Sequence, residues 1–482
     1  MTSPQSDELP VNPGSPASQS AKRPPAGVHD MTSGPIRAHV VRMTLFVLAG
    51  MAIQTLYGLV DIYWVGRLGK EAVAAVALSS NLMFVSLAVT QTLSVGCVAL
   101  VSQATGKKQH VEVQRLFNQA QSLSTWAGVL FLVACLALRR TYAERLSGDA
   151  LTAELARSFL GSFIPALALQ FTMIGLGSAL RGIGDMKPGL VAQTASVLLN
   201  LVLAPFLVFG WISGHPLGVA GASLATLVST SAAVLGLLLY VLRGRTFLRF
   251  QLAELLRPHW STWRTMAGIG LPAGAEFLLI SITMGVIYSV TRPFGAQAQA
   301  GFGIGSRLMQ AGFMPAVAIS FAAAAVVGQN FGSRAFTRVR GALRESVKLT
   351  VLFMLAFTAL CQIVPDRLVA IFSSDPQVIA AGVDYLRTIS WGYVASGVIF
   401  VSGGVFQGLG NTWPSLAASA LRALAFSVPT AISSTRPGFA MHRIWLISLA
   451  AVSVQFALQQ TLLRRELRLK APLESPQLEP LG

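Results

Sequence analysis

Residues 217–242 read LGVAGASLATLVSTSAAVLGLLLYVL, without one charged side chain. Wound as a helix at about 1.5 Å per residue, such a run exceeds the roughly 30 Å hydrocarbon core of a bilayer and satisfies its own backbone there. The chain then turns abruptly polar: residues 243–264 hold Arg243, Arg245, Arg249, Arg257 and Arg264 beside Pro258, Trp260 and Trp263. Windows of about 19 residues find the same kind of apolar run twelve times. The runs fall at 43–65, 75–103, 118–138, 159–180, 188–210, 217–242, 265–291, 300–329, 345–364, 385–407, 414–434 and 443–463. The fold class is an all-α polytopic membrane protein of twelve transmembrane helices.

Composition agrees. Only 11% of the 482 residues are charged, under half the roughly 25% of a soluble globular domain. The net charge of +17 is therefore not the mark of a soluble nucleic-acid binder, and no nucleic-acid partner is expected. Twelve is even, so both termini share one side. Of the 36 basic residues, 23 fall in the tails and even-numbered connections and 11 in the odd-numbered ones. The positive-inside rule puts the richer side, with both termini, in the cytoplasm. Arg outnumbers Lys 29 to 7 and no eukaryotic sorting signal is visible, which suggests a bacterial cytoplasmic (inner) membrane. Cys97, Cys135 and Cys361 sit singly in apolar runs, and the six His are scattered, so neither a disulfide framework nor a bound metal is indicated. Residues 1–35, rich in Pro, Ser and Gly, read as a disordered tail and not as a cleaved signal.

An internal repeat organises the spans. A shift of 226 residues superposes Gly69 on Gly295, Leu82-Met83 on Leu308-Met309, Gln103 on Gln329, Gly106 on Gly332 and Asp149 on Asp375. The same shift brings Gly182 onto Gly408, Gly184 onto Gly410 and Pro188 onto Pro414, with no gap over about 120 residues. Each copy holds six spans, so the copies enter the membrane in the same direction and are related by a pseudo-twofold axis along its normal. The expected organisation is a tail (1–35), an N-lobe (36–240), a basic linker against the headgroups (241–264), a C-lobe (265–463) and a second tail (464–482), with a cavity shared between the lobes.

Of 19 acids, only Asp61 and Glu276 fall within apolar runs. A carboxylate there costs about 2.5–3.5 kcal/mol and usually faces an ion or substrate path. Asp61 shares a helix face with Gln54 and Tyr57. Burial penalises its charged form and a bound cation restores it, which is a physical basis for exchanging cation against cargo. Glu276 follows Pro272, which frees local carbonyls, and Thr283 lies seven residues on. Arg307 and Arg422 are the only bases read within spans, as counter-ions or as snorkelling side chains. Asn81, Gln91, Asn200, Gln310 and Gln407 read as interhelical hydrogen bonds or as pocket groups. Phe302, Met309 and Phe313 share a face of the eighth span that suits either packing or apolar cations. Gly182-Ile183-Gly184 is read as a turn. No nucleotide-binding Gly-Lys loop and no clustered His/Asp/Glu or Ser/His constellation is present, so neither ATP-driven transport nor a membrane enzyme is supported.

Several stretches resemble the multidrug and toxic compound extrusion (MATE) transporters. Asp61-Ile62-Tyr63-Trp64-Val65-Gly66-Arg67-Leu68-Gly69 with Ala72-Val73-Ala74-Ala75-Val76 is similar to that family's first-helix signature, and Val327-Gly328-Gln329-Asn330-Phe331-Gly332 to its motif after helix 8. Arg181-Gly182-Ile183-Gly184-Asp185 and Gln407-Gly408-Leu409-Gly410-Asn411, each followed by Pro, resemble its turns after helices 4 and 10. The resemblance covers about residues 40–465. It implies a secondary active antiporter that exports amphipathic, cationic organic compounds by alternating access. No cofactor is implied beyond the coupling ion, H⁺ or Na⁺, with Na⁺ held at Asp61 in the second case. It also implies Asp61, Asn200 and Glu276 as coupling residues and a monomer as the working unit. Substrate contacts are expected from Gln54, Tyr57, Asn81, Thr283, Phe302, Met309 and Phe313. Ala204 stands where the family often has an Asp four residues after the Asn, leaving Asp61 to work with Asn200, Tyr57 and water. The alternative is a flippase of lipid-linked saccharides from the same broad superfamily, whose anionic cargo would call for basic residues facing the cavity.

Overall fold

A computed structural model describes residues 29–211 and 214–472. The side chains of Tyr57, Leu59, Val60, Asp61, Ile62 and Ser80 lie outside the described residues. No strand occurs among the described residues, and twelve helices are long and apolar enough to cross a membrane. In the first half they are α1 (Ile36–Gly66), α2 (Lys70–Gly106), α3 (His110–Leu146), α4 (Ala150–Gly182), α5 (Lys187–Phe209) and α6 (Gly218–Leu242). The second half repeats them as α7 (Trp260–Thr291), α8 (Ala296–Gly332), α9 (Phe336–Ile363), α10 (Pro376–Gly408), α11 (Trp413–Ser434) and α12 (Met441–Lys470). α10 is interrupted by a 3-10 turn at Ser390–Gly392. Its repeat mate α4 carries Pro165 at the same level, so both lobes disturb the same helix by different means.

The repeat seen in the sequence is repeated in local chemistry. Gly69 and Gly295, one repeat apart, precede α2 and α8 at φ of 110° and 90°. Gly184 and Gly410 turn the chain after α4 and α10 at φ of 86° and 72°. A side chain at these four positions would be strained, and glycine is not. Asp149 and Asp375, also repeat mates, each accept a backbone N–H at the start of a helix, from Thr152 (2.7 Å) and Gln377 (2.8 Å).

The first helix of each lobe straddles the seam. α1 packs on α8 as well as on α5, and α7 packs on α2 as well as on α11. Where α2 and α8 cross, a Cβ on Gly106 would collide with the Gln329 carbonyl, and one on Gly332 with the Gln103 carbonyl. The amides of the same glutamines reach across: Gln103 Nε2 donates to the Gly408 carbonyl at 2.8 Å and Gln329 Nε2 to that of Gly182 at 3.0 Å. One contact thus appears twice, related by the pseudo-twofold. Behind it Met43, Val98 and Met186 of the first half bury against Val326, Val327 and Val405 of the second. Among the described residues every hydrogen bond between the lobes lies at this end.

Three segments read as tails or linker are more structured than expected. Residues 29–34 are not free. The Met31 side chain is fully buried in the seam, its N–H donates to Gln329 Oε1 at 3.0 Å, and its carbonyl accepts from Asn330 at 3.1 Å. Arg338 donates to the carbonyls of Met31, Ser33 and Gly34. The His29 N–H donates to Ile183 of the N-lobe at 3.0 Å. One apolar anchor and several backbone hydrogen bonds to the two lobes hold the strap; residues 1–28 of the expected tail lie outside the described residues. The linker contains the short helix Leu252–Leu256, and its backbone is bonded by Asn118, Gln119 and Ser122 of α3. α12 runs on through Arg464–Lys470, and residues 473–482 lie outside the described residues.

Candidate functional site: two repeat-related cavities

Each lobe holds a cavity walled by corresponding helices. The N-lobe cavity, about 390 Å³, is lined from α1, α2, α4, α5 and α6. The C-lobe cavity, about 210 Å³, is lined from α7, α8, α10, α11 and α12, with Gln91 and Val95 of α2 reaching in from the other lobe. The repeat shift carries Gln170 onto Ser396, Gln193 onto Ser419, Ser196 onto Arg422 and Ser229 onto Gln455, all of them lining residues. The same place in each lobe has therefore become a pocket, with different polar contents.

In the N-lobe the described lining is neutral. Gln54, Gln170 and Gln193 face a space that includes Met83, Phe159 and Phe163. Gln54 of α1 is among the lining residues. Asn200 is buried beside it, donating to Thr226 at 3.4 Å, and Thr226 is itself a lining residue. Asp61 and Tyr57 belong to α1, and their side chains lie outside the described residues. Asn81 is exposed on α2.

The C-lobe cavity contains charge. Glu276 projects from α7 and accepts hydrogen bonds from Ser415 and Ser419, one turn apart on α11. Gln455 of α12 donates to Ser419 at 3.1 Å and accepts from Arg422 at 3.3 Å, closing a polar chain from carboxylate to guanidinium. Arg422 makes no ion pair with Glu276 within 4.0 Å and bonds the neutral Gln455 amide instead, so the donors to the acid are the neutral Ser415 and Ser419. Thr283 lines the same cavity. Arg307, the other base read within a span, is exposed.

The aromatic stripe of α8 is brought together, but inside the C-lobe. Phe302 is fully buried among Tyr385, Trp445 and Tyr288, and Phe313 packs on Tyr393 and Phe400. Met309 sulfur takes the Tyr385 hydroxyl at 3.3 Å. None of the three lines either cavity.

A basic group assigned to a turn from the sequence proves to be internal. Arg181 ends α4, and its guanidinium bonds Ser94 (2.7 Å) and Ser178 (2.8 Å) and lies 5.6 Å from the Phe321 ring across the seam. Phe321 also lines the C-lobe cavity. A following Gly-x-Gly reads as a loop, and nothing in the sequence signals that the preceding side chain turns back into the protein.

Comparison with known proteins agrees with this architecture. The MatE family profile matches residues 47–206 and 272–432, ranges that are themselves one repeat apart. The chain is 28% identical to the probable multidrug resistance protein YpnP of Bacillus subtilis, over 79% of this chain and 84% of that one. It is 27% identical to the probable multidrug resistance protein NorM of Thermotoga maritima, over 79% and 81%. A solved structure described as the outward-facing conformation of a multidrug resistance MATE family transporter of the MOP superfamily shares the fold. Its TM-score is 0.84 at 23% identity, covering 91% of this chain and 98% of that one. With the profile matching both repeats, the chain belongs to the MatE family of membrane transporters.

Proposed function

We propose that the protein exports amphipathic, cationic organic compounds in exchange for an inward H⁺ or Na⁺, by alternating access between its two lobes. The observation that carries this reading is Glu276: an intramembrane carboxylate facing a cavity, held by two serines and left unpaired by the nearby arginine. Such a group exchanges a small cation without dismantling a salt bridge. Asp61, together with Asn200, plays the matching part in the N-lobe. The multidrug resistance names of the relatives support the cargo class. The basic excess around the joined end supports placing that end in the cytoplasm of a bacterial cell. One chain supplies both lobes, and a monomer suffices.

Efflux of a fluorescent organic cation from cells, assayed with and without Na⁺ at fixed pH, tests the exchange. Na⁺ coupling predicts that export falls several-fold on Na⁺ removal; proton coupling predicts no change on Na⁺ removal but loss on collapsing the pH gradient. Export indifferent to both would sink the proposal. The second reading, a flippase of lipid-linked saccharides, is favoured by Arg181 and Arg422, which put two guanidinium groups near the seam and the C-lobe cavity. Vesicles in which the protein scrambles such lipids and ignores cationic dyes would establish it instead.

A further inference from the structure

A third cavity, about 250 Å³, lies at the joined end of the N-lobe, where the strap, the start of α1, the α4–α5 turn and the segment after α6 meet. Its wall gathers Arg42, Lys187, Arg245, His29 and His39 around a single carboxylate, Asp185. That carboxylate is engaged by the Tyr240 hydroxyl at 2.9 Å. Arg42, Lys187 and Arg245 have no ion-pair partner within 4.0 Å among the described residues. Arg42 Nη1 donates instead to His29 Nε2 at 2.6 Å. Burial, with Arg42 and His39 close by, holds the His29 imidazole below the usual histidine range, so the ring stays neutral and accepts that bond. Three cations facing one carboxylate leave the hollow with a net positive charge, and their mutual repulsion is relieved when an anion enters. Lys187, the first residue of α5, thus stands at the cavity wall.

We propose that this pocket seats the phosphate of an anionic phospholipid. Met43 and Phe46 of α1 and Met186 give the basic pocket an apolar floor, which suits a lipid better than a soluble phosphate. Basic pockets between transmembrane helices on the cytoplasmic side bind acidic headgroups in this manner. Because His29 belongs to the strap that crosses the seam, an occupied pocket also holds the strap in place.

Native mass spectrometry of the full chain in detergent, titrated with phosphatidylglycerol, tests the proposal. The triple variant Arg42→Gln, Lys187→Gln, Arg245→Gln is expected to bind the lipid about tenfold or more weakly, since each basic group near the surface contributes. The control Arg344→Gln, Arg464→Gln, Arg465→Gln, which removes the same charge from the same end, is expected to stay within about twofold of the natural chain. Thermal unfolding of each protein confirms that the comparison is between folded chains. Unchanged binding by the pocket variant, or equal loss in the control, overturns the site. Inorganic phosphate that binds as tightly as the lipid and displaces it overturns the lipid assignment and makes the occupant a soluble phosphate.

Discussion

Replacing Glu276 by Gln is expected to cut export of an organic cation by about 5- to 150-fold at equal expression, the range of a lost coupling energy of about 1–3 kcal/mol. Glutamine matches the carboxylate in shape and can still accept from Ser415 and Ser419, so the pocket should keep its form. What it lacks is a charge that a proton or Na⁺ can neutralise and release. Asp61→Asn is expected to act with similar strength through the N-lobe. The two acids are not repeat mates: Glu276 corresponds to Gly50 and Asp61 to Ile287. Each lobe has therefore placed its own carboxylate on its first helix, and one is not expected to replace the other. Undiminished efflux by either variant removes that residue from the coupling scheme.

The second large effect is at the seam. Gly106→Val, or its mate Gly332→Val, puts a branched side chain against a backbone carbonyl of the opposite lobe. Neither carbonyl can yield, because each belongs to a helix crossing at the closest approach. Overpacking of this kind costs about 1–3 kcal/mol. The cost falls only on the state in which the lobes meet at this end, so the population shifts toward the state in which they part. Spin labels at Lys107 and Ser333, in a chain whose cysteines Cys97, Cys135 and Cys361 are replaced, read that shift as a new long-distance component. Unchanged distances would mean that the crossing adapts without parting the lobes.

The architecture is legible in the sequence because bilayer physics writes it there: uncharged runs of span length, glycine at the left-handed turn positions, and a gap-free repeat. The spans stop short of the helices because hydropathy windows end at the first charges. The helices themselves continue in polar surroundings, as α2 does from Lys70 and α12 does to Lys470. Glu276 is legible for the same reason, as a costly group in an apolar run. Its partners are not. Ser415, Ser419 and Gln455 are ordinary polar residues in spans far along the chain, and only the packing of α7, α11 and α12 unites them. Arg181 escapes because direction is not encoded in spacing, and the stripe of Phe302, Met309 and Phe313 because a shared face does not name the neighbour it meets. The strap is hidden by composition: Met31 is a lone apolar residue in a polar stretch, and its seat is made by residues some three hundred positions away.

The exchange itself is tested most directly with purified protein in sealed vesicles, with an imposed H⁺ or Na⁺ gradient as the only energy source and an organic cation as cargo. The account predicts that cargo moves against its own gradient, opposite in direction to the ion, and that Glu276→Gln and Asp61→Asn weaken the drive while leaving the protein folded. Cargo that merely equilibrates, at a rate blind to every cation gradient, would contradict it.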